Sequence, residues 1–483
     1  MNARAVCDPD GPSGRIVATI GPPDSIAFRD LEEIVGWGTI RINLAFAGPH
    51  NYEDLRALVR RIRSRRGDAI CILLDCVGPR VKLGPLPREG VEFRPGAELT
   101  ITTRDVPADS GLLPTVFDEL PRAVRPGHPI LLAEGQMRLE VIATDGVADV
   151  RCRVVRGGRL SKRGLNLPET RLTVPALSDR DRRDLDALLS EDVDMVALSF
   201  VRTPEDVIEL REYLKAHGRS EVRIMAKIET RPAVERIREV AAVSDALMVA
   251  RGDLWAELPN PWELPRLTTR IIRAGNELGL PVVTATQTLS SMVGRDVPSR
   301  AEVDELYFLL REGSDAIMGS EEFAVGKYPR QVAEAIRSVS REVDRERADL
   351  LREGTLPARE SGPGKLDRER AAVLWAEATE RVRCLVSISD QGANATALHR
   401  ERPRKPLVVV TNHAATARYL QLFSAYAVHV DYRWEDVNHA EIAREALRAL
   451  GWRGAGRSAL LIVNHRASPE RHFSKIEEIP LPE

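Results

Sequence analysis

The chain has 483 residues, of which 43% are hydrophobic, and its formal net charge is −2. This length predicts several domains with buried cores, and charges of mixed sign argue against a nucleic-acid partner or a membrane surface as partner. The sequence has no apolar run long enough to span a bilayer, and its scattered cysteines form no CxxC pair and therefore favour a reducing cytoplasm.

Short apolar runs alternate with helical patterns through most of the first two thirds of the chain. Continuous apolar runs of about five residues are typical of parallel strands that are buried on both faces. Strand–helix units repeated in this way predict a (β/α)8 TIM barrel made of residues 1–84 and 160–345. The expected strands are Arg15–Ile20, Thr39–Asn43, Ala69–Leu74, Met195–Phe200, Arg223–Ile228, Ala246–Ala250, Pro281–Ala285 and Asp315–Met318.

Residues 85–159 interrupt this rhythm with alternating polar and apolar segments such as Glu98–Thr103. They predict an inserted small β-barrel domain that lies over the carboxyl ends of the barrel strands as a lid. After the barrel, the charged Arg341–Lys365 stretch contains Gly and Pro and is typical of a linker. Residues 346–483 alternate strand and helix again and predict a C-terminal α/β domain.

Polar residues follow the predicted strands of the barrel, where substrates bind in this fold. Glu229 and Asp253 follow neighbouring strands and can share a hard cation such as Mg²⁺. Lys227 lies on the same strand face as Glu229 and can stabilise a transferring anionic group. Gly252 and Asp253 begin a helix, whose free N–H groups can hold an anion. The alternative for Lys227 and Glu229 is a simple salt bridge at the barrel mouth.

These segments resemble the pyruvate kinase family in order along nearly the whole chain. The matching strings are RIVATIGP (15–22), RIN (41–43), SKRGLNLP (161–168), DVDMVALSFVR (192–202), MAKIET (225–230), VARGDL (249–254), TATQTLSSM (284–292) and SRAEV (299–303). The resemblance implies phosphoryl transfer from phosphoenolpyruvate to ADP, which makes pyruvate and ATP in glycolysis. It also implies Mg²⁺ or Mn²⁺ as cofactor and a homo-oligomer, either a tetramer or a dimer.

The resemblance also implies roles for individual residues. Lys227, Thr286 and Arg41 match the catalytic positions, and Glu229 and Asp253 match the divalent-metal ligands. The other matches are to the substrate contacts Ser199, Gly252, Asp253 and Thr286, to the nucleotide-phosphate contacts Arg41, Lys82 and Arg163, and to the monovalent-cation ligands Asn43 and Asp75.

The monovalent-cation region departs from the family pattern. Ala45 replaces a serine ligand of potassium, Phe46 replaces a histidine near the nucleotide, and Cys76 replaces a threonine. Arg80 stands where potassium-dependent members have glutamate and potassium-independent members have lysine. Because a fixed guanidinium there could replace the charge of the ion, we expect an enzyme that does not require K⁺.

Two further departures bear on substrate and regulation. Trp255 follows the metal aspartate in place of a glycine, which indicates either repacking at a helix or subunit contact or a reshaped substrate pocket. The Ser389–Thr396 segment has no basic residue where many members bind a phosphosugar, so activation by a sugar bisphosphate is not expected. An alternative function is a paralogue that uses the same metal and enolate site on another acceptor or 2-oxo acid. A non-catalytic regulatory protein is the least favoured interpretation.

Overall fold

The computed structural model describes residues 3–5, 14–22, 25, 28, 31, 36, 38–79, 81–133, 135–168, 170, 174–258, 260–353, 368–434, 438–468 and 471–482. Eight parallel strands pair in a closed ring, which confirms the barrel that the sequence predicts. In chain order these strands are Arg15–Thr19, Gly38–Asn43, Ile70–Asp75, Met195–Leu198, Arg223–Ile228, Ala246–Ala250, Val282–Ala285 and Ala316–Gly319.

The strands are apolar throughout because both of their faces are buried. In the strand Ile70–Asp75, Cys71 and Leu73 pack with Met195 and Met225 inside the ring. The alternate residues of that strand, such as Ile72, pack against the surrounding helices. This period of two explains why the barrel strands are continuous apolar runs in the sequence.

The barrel helices begin and end at residues suited to those positions. Ser178 and Ser299 each form a capping box with the acidic residue three positions later. Gly313 ends a helix in the left-handed region at φ 107°. The helices are Tyr52–Arg66, Asp179–Leu188, Pro204–Ala216, Arg231–Glu235, Ile237–Ala242, Arg251–Glu257, Leu264–Leu278, Arg300–Glu312, Glu321–Ala324 and Pro329–Glu353.

The last of these helices corrects the predicted linker. It runs to Glu353, so the expected boundary between residues 345 and 346 falls inside it. Val332, Ile336 and Val343 are buried on one face, and most of the charged residues that suggested a linker lie on the other faces of this amphipathic helix. Residues 354–367, which carry the Gly and Pro of the expected linker, lie outside the described part of the chain.

The inserted segment forms a six-stranded, mostly antiparallel sheet and a two-stranded sheet around one apolar core. The smaller sheet pairs Val91–Phe93 with Gly158–Leu160, and a short helix spans Leu120–Ala123. The larger sheet also includes residues beyond 159, because Leu165 and Asn166 pair with Leu132 and Leu131. Its strands, in sheet order, are Leu165–Asn166, Pro129–Leu132, Met137–Thr144, Asp149–Arg156, Glu98–Thr102 and Leu112–Pro114.

The C-terminal domain is built on a six-stranded mixed sheet. Its strands, in sheet order, are Ala3–Ala5, Tyr426–Val430, Leu407–Thr411, Val382–Ile388, Ser458–Ser468 and Arg471–Pro480. Its helices are Arg368–Ala378, Ala393–Arg400, Ala414–Tyr419 and His439–Ala449. The sequence assigns residues 1–84 to the barrel, and Ala3–Ala5 correct this, because they pair antiparallel with Val428–Val430 at the edge of the C-terminal sheet.

Buried aspartates at the amino ends of the barrel strands hold the C-terminal domain. Asp315 accepts hydrogen bonds from Arg402 Nη1 at 2.7 Å and from Ser424 Oγ at 2.9 Å. Asp194 accepts one from Arg418 Nε at 2.7 Å. The second oxygen of each aspartate accepts a backbone N–H of a neighbouring barrel strand. Each carboxylate therefore ties the C-terminal domain directly to the strand ring. Among the described residues, no helix is both long and apolar enough to cross a membrane.

Candidate active site

Lys227 lies in a buried cluster of charges at the carboxyl end of the barrel. Its Nζ is 3.4 Å from Asp75 Oδ1 and 3.4 Å from Glu229 Oε2, and it donates a hydrogen bond to Ser199 Oγ. Burial by itself would lower the pKa of this ammonium group, but the carboxylates of Asp75 and Glu229 outweigh burial and raise it. Lys227 therefore stays charged and is held in one place.

Ser199 connects Lys227 to the neighbouring strand. Its hydroxyl donates to the Cys76 carbonyl oxygen at 2.7 Å while it accepts from Lys227. Only 1% of Ser199 is exposed. The contacts in this structure orient the lysine, and the substrate contact that the sequence suggests for Ser199 remains a prediction.

The carboxylate of Glu229 has one oxygen suited to a cation. Its Oε1 accepts from the backbone N–H of Phe200 at 2.6 Å, whereas the buried Oε2 accepts no hydrogen bond within the described part of the chain. Burial raises the pKa of Glu229, and the nearby charge of Asp253 adds to the rise, while Lys227 opposes it. A buried oxygen of this kind, which accepts no hydrogen bond and faces Lys227 Nζ at 3.4 Å, fits a bound cation.

Asp253 supplies the second carboxylate from the next strand–helix connection. It lies on the exposed side of the helix Arg251–Glu257, and its charge acts on both Lys227 and Glu229. No group of three or more metal-binding side chains occurs within the described ranges. Two carboxylates with the remaining positions left to water and substrate is the usual arrangement for Mg²⁺, so Glu229 and Asp253 fit this cation.

Gly252 and Thr286 lie together on adjacent loops. The backbone N–H of Gly252 donates to Thr286 Oγ1 at 2.7 Å. Thr286 and the following Gln287 have φ angles of 67° and 57°, in the left-handed region. This conformation is unfavourable for a β-branched residue and is found mostly at functional sites. It aims the hydroxyl of Thr286 at the start of the helix that carries Asp253.

Arg41 and Asp75 form the other wall of the cluster. Arg41 donates to Asp75 Oδ2 at 2.5 Å and to Thr19 Oγ1 at 3.0 Å. Burial would raise the pKa of Asp75, but the charges of Lys227 and Arg41 lower it overall. Asp75 is therefore an ionised carboxylate between two cationic side chains.

The predicted monovalent-cation region includes a short turn after the second barrel strand, which carries Asn43 and Ala45, and the end of the third strand, which carries Asp75 and Cys76. Asn43 Oδ1 accepts from the backbone N–H of Ala45 at 3.0 Å, which caps the turn. Phe46 is 75% exposed on this turn, and Cys76 is buried with a thiol pKa that burial raises well above its usual range. Arg80 lies outside the described residues, so the guanidinium expected there cannot be placed.

The structure places Lys82 and Arg163, two of the three predicted nucleotide-phosphate contacts, near each other, and Arg41 lies apart from them in the Lys227 cluster. Lys82 is paired with Gly164 in an antiparallel bridge, and Arg163 Nε donates to the carbonyl of Leu83 at 2.9 Å. Lys82 and Arg163 are half-buried where the chain enters and leaves the inserted domain. Both basic side chains thus lie at the junction between that domain and the barrel.

Sequence reasoning missed two residues that shape this site. Arg180 Nη2 donates to the carbonyls of Leu44, Ala45 and Ala47 at 3.0 to 3.2 Å and so fixes the turn that carries Phe46. Glu257 accepts from Asn166 Nδ2 of the inserted domain at 3.0 Å. The spacing of four residues between Asp253 and Glu257, which puts both on one helix face, could have drawn attention to Glu257.

Burial raises the pKa of Glu257 to about 7, with the charge of Asp253 adding to the rise. Glu257 also lines a cavity of about 700 Å³ that extends from Phe200 to Pro168. The cavity is lined by residues of both the barrel and the segment that leaves the inserted domain, and Phe200, whose N–H donates to Glu229, lies at its edge.

A buried lysine, two neighbouring carboxylates that fit a cation and a strained threonine at the carboxyl end of a (β/α)8 barrel are typical of an enzyme for reactions of anionic substrates. The family described as "Pyruvate kinase, barrel domain" matches residues 12–333. Pyruvate kinase 2 of Synechocystis is 35% identical over 84% of this chain and 69% of its own length. The pyruvate kinase of Methylorubrum extorquens is 35% identical over 86% of this chain and 85% of its own length.

The fold comparison agrees with the sequence comparison. A crystal structure of a pyruvate kinase from Cryptosporidium parvum superposes with a TM-score of 0.83 at 25% identity and covers 98% of this chain and 97% of its own chain. The chain therefore belongs to the pyruvate kinase family and is a phosphotransferase of that type, which confirms the resemblance seen in the sequence.

Proposed function

We propose that this enzyme transfers the phosphoryl group of phosphoenolpyruvate to a nucleoside diphosphate, with Mg²⁺ or Mn²⁺ held by Glu229 and Asp253. The observation that carries the proposal is the buried Lys227 ammonium, which lies 3.4 Å from a Glu229 oxygen that accepts no hydrogen bond. A fixed cation beside an open carboxylate oxygen provides positive charge where a transferring phosphoryl group develops negative charge.

The mechanism follows from what each side chain can do in this position. Lys227, oriented by Ser199, stabilises the oxygens of the phosphoryl group during transfer. The divalent ion, when bound, supplies Lewis-acid charge next to the substrate oxygens. Arg41 binds the phosphate, and the first turn of the helix Arg251–Glu257, where the Gly252 N–H donates to Thr286 Oγ1, faces the substrate carboxylate. Thr286 Oγ1 lies 2.7 Å from the Gly252 amide, where its hydroxyl can pass a proton from solvent to the methylene carbon of the enolate and be reprotonated in the same step.

The surroundings of Asp75 support activity without K⁺. Two cationic side chains already neutralise Asp75: Arg41 lies 2.5 Å from its Oδ2, and Lys227 lies 3.4 Å from its Oδ1, which like Glu229 Oε2 accepts no hydrogen bond within the described residues. Ala45 offers no hydroxyl, and the Asn43 side-chain oxygen is occupied in capping the turn. We expect equal activity in K⁺ and in tetramethylammonium at constant ionic strength. Strong activation by K⁺ would show that a monovalent-cation site persists.

The loop after the strand Val382–Ile388 of the C-terminal sheet supports the absence of sugar-bisphosphate activation. Asp390 in this loop accepts a hydrogen bond from Tyr432 Oη at 2.7 Å and another from the indole of Trp434. A carboxylate fixed at this point repels a phosphate group. A sugar bisphosphate that lowers the KM for phosphoenolpyruvate would contradict this part of the proposal.

The decisive experiment is a coupled assay with phosphoenolpyruvate, ADP and Mg²⁺. We expect turnover by the wild-type enzyme and a loss of at least about 100-fold in kcat for Lys227→Met, because one charge-stabilising donor is worth about 10²–10³ in rate. Lys215→Met is the matched control, since that side chain is 68% exposed on an outer helix. Turnover that survives in Lys227→Met would refute the role given to this lysine.

The altered turn after the second barrel strand favours a second candidate function. Ala45 and the 75% exposed Phe46 replace polar groups expected on the nucleotide side, while the Lys227 cluster is complete. The same cluster could enolise a 2-oxo acid or phosphorylate another acceptor. Exchange of the methyl protons of pyruvate in D₂O, together with no turnover of ADP, would favour this function over the first.

We also infer a cytoplasmic homo-oligomer, a tetramer or a dimer, that acts in glycolysis. The support is the family membership together with the scattered cysteines, of which the described ones, Cys71, Cys76, Cys152 and Cys384, are free and buried. Light scattering coupled to gel filtration measures the oligomeric state, and a monomeric mass would contradict it.

A further inference from the structure

The helix that carries Asp253 is too short to be stable by itself. It spans Arg251–Glu257, and isolated helices shorter than about 12 residues are marginal in water. Leu254 and Ala256 are buried against the barrel, but they hold only one side of the helix. The position of Asp253 therefore depends on what holds the other side.

That other side faces the inserted domain at Trp255. A Cβ atom added to Gly135 would lie 3.8 Å from Cδ1 and Nε1 of the Trp255 indole and 3.8 Å from Cα of Ala256. The turn at Gly135 therefore faces Trp255 and Ala256 across a gap that a single methyl group would close. Arg156 donates to the carbonyl of Gly135 and to that of Gln136, which ties this turn to the central strands of the inserted sheet.

Trp255 is itself supported from the barrel side. It packs against the main apolar core and meets Trp262 edge to face, with ring centroids 6.4 Å apart and an interplanar angle of 86°. An indole held in this way is a rigid surface on which Gly135 can pack. A glycine at position 255 would have no side chain to reach toward Gly135.

Glu257 makes the second contact with the inserted domain. Its carboxylate accepts from Asn166 Nδ2 at 3.0 Å, and Asn166 is paired with Leu131 at the edge of the inserted sheet. Because Glu257 follows Asp253 by one helical turn, a shift of Glu257 moves Asp253 with it. Both contacts thus converge on one short helix.

We propose that Trp255 and Glu257 are positioning residues that clamp the helix Arg251–Glu257 between the barrel and the inserted domain, so that Asp253 is held within reach of the cation shared with Glu229. The proposal rests on the function proposed above, because it assigns Asp253 to the metal. It predicts that the contacts of Trp255 and Glu257 with the inserted domain set the metal affinity, although neither residue binds the metal.

The test measures Mn²⁺ binding directly, by electron paramagnetic resonance on the full-length enzyme without substrate. We expect Trp255→Ala and Glu257→Leu each to raise the Kd for Mn²⁺ about tenfold, the range seen when partners that orient metal ligands are removed. Glu257→Gln should bind Mn²⁺ nearly as the wild type does, because its amide carbonyl still accepts from Asn166. Trp375→Ala, at a 43% exposed tryptophan of the C-terminal domain, is the matched control.

A variant of the inserted-domain partner of Glu257 controls for misfolding of the helix Arg251–Glu257. Asn166→Ala removes the same hydrogen bond from the inserted domain and should weaken Mn²⁺ binding to the same extent as Glu257→Leu. Wild-type Mn²⁺ affinity in Trp255→Ala, Glu257→Leu and Asn166→Ala, or equal losses in Glu257→Gln and Glu257→Leu, would overturn the proposal. This experiment measures metal binding and not turnover. If the wild-type enzyme binds Mn²⁺ but does not convert phosphoenolpyruvate and ADP, the proposed reaction is wrong, and the Mn²⁺ affinities of the same variants still test the positioning role of Trp255 and Glu257.

Discussion

Asp315 offers the sharpest test of how the C-terminal domain is attached to the barrel. Its side chain is 0% exposed and accepts from Arg402 at 2.7 Å, from Ser424 at 2.9 Å and from the Val282 backbone at 2.9 Å. Asp315→Asn keeps one acceptor oxygen and removes the charge. Breaking a buried ion pair costs about 3–5 kcal/mol, and the 25% exposure of Arg402 places the loss near the lower end.

A loss of about 3 kcal/mol lowers the equilibrium constant for folding about 150-fold. Urea unfolding followed by circular dichroism and tryptophan fluorescence measures it, and the first transition should move to a clearly lower urea concentration. Asp431→Asn is the matched control, because that side chain is 81% exposed in the same domain. Equal midpoints for the two variants would refute the reasoning.

The difference in stability between the wild type and Asp315→Asn should depend on pH, and the direction of this dependence follows from the pKa of Asp315. Burial would raise the pKa of Asp315, but Arg402 and His399 lower it well below its usual range. A carboxyl group with a depressed pKa in the folded state stabilises that state above its unfolded pKa of about 4 and loses this contribution as the pH falls. The gap between wild type and Asp315→Asn should therefore be full at pH 7 and shrink below about pH 4. A gap that stays constant to pH 3 would contradict the charge assignment.

Two further predictions concern the active site. Glu229→Gln should raise the Mg²⁺ concentration for half-maximal binding by at least about tenfold, because the loss of even a residue that only orients a metal ligand costs about that much in metal affinity. Calorimetric titration measures this concentration. The same loss of affinity in Glu239→Gln, a control at a 59% exposed residue, would point to a nonspecific effect. Arg180→Ala should raise the KM for ADP about tenfold with kcat nearly unchanged, because the hydrogen bonds from this guanidinium to the turn that carries Phe46 are worth about 1.5–3 kcal/mol. Arg183→Ala, at an exposed residue of the same helix, is the control. An unchanged KM in Arg180→Ala, or an equal rise in Arg183→Ala, would show that this turn does not contribute to nucleotide binding.

The barrel and the central residues of its site could be read from the sequence because their signals are local. A strand buried on both faces is a continuous apolar run, and the first polar residues after it must lie at the barrel mouth. Lys227 and Glu229 follow this rule within one strand. The approach of Lys227 to Asp75 at 3.4 Å needs no information beyond the order of the strands in a closed ring.

Contacts between domains were decided only by the tertiary structure. Asn166 and Glu257 are 91 residues apart, and Asp315 and Arg402 are 87 residues apart, with no periodicity that relates either pair. The pairing of Ala3–Ala5 with the strand Tyr426–Val430 spans most of the chain. Hydrogen bonds of this kind form between whatever polar groups two packed surfaces bring together, so the local pattern that predicts each element carries no record of its partner.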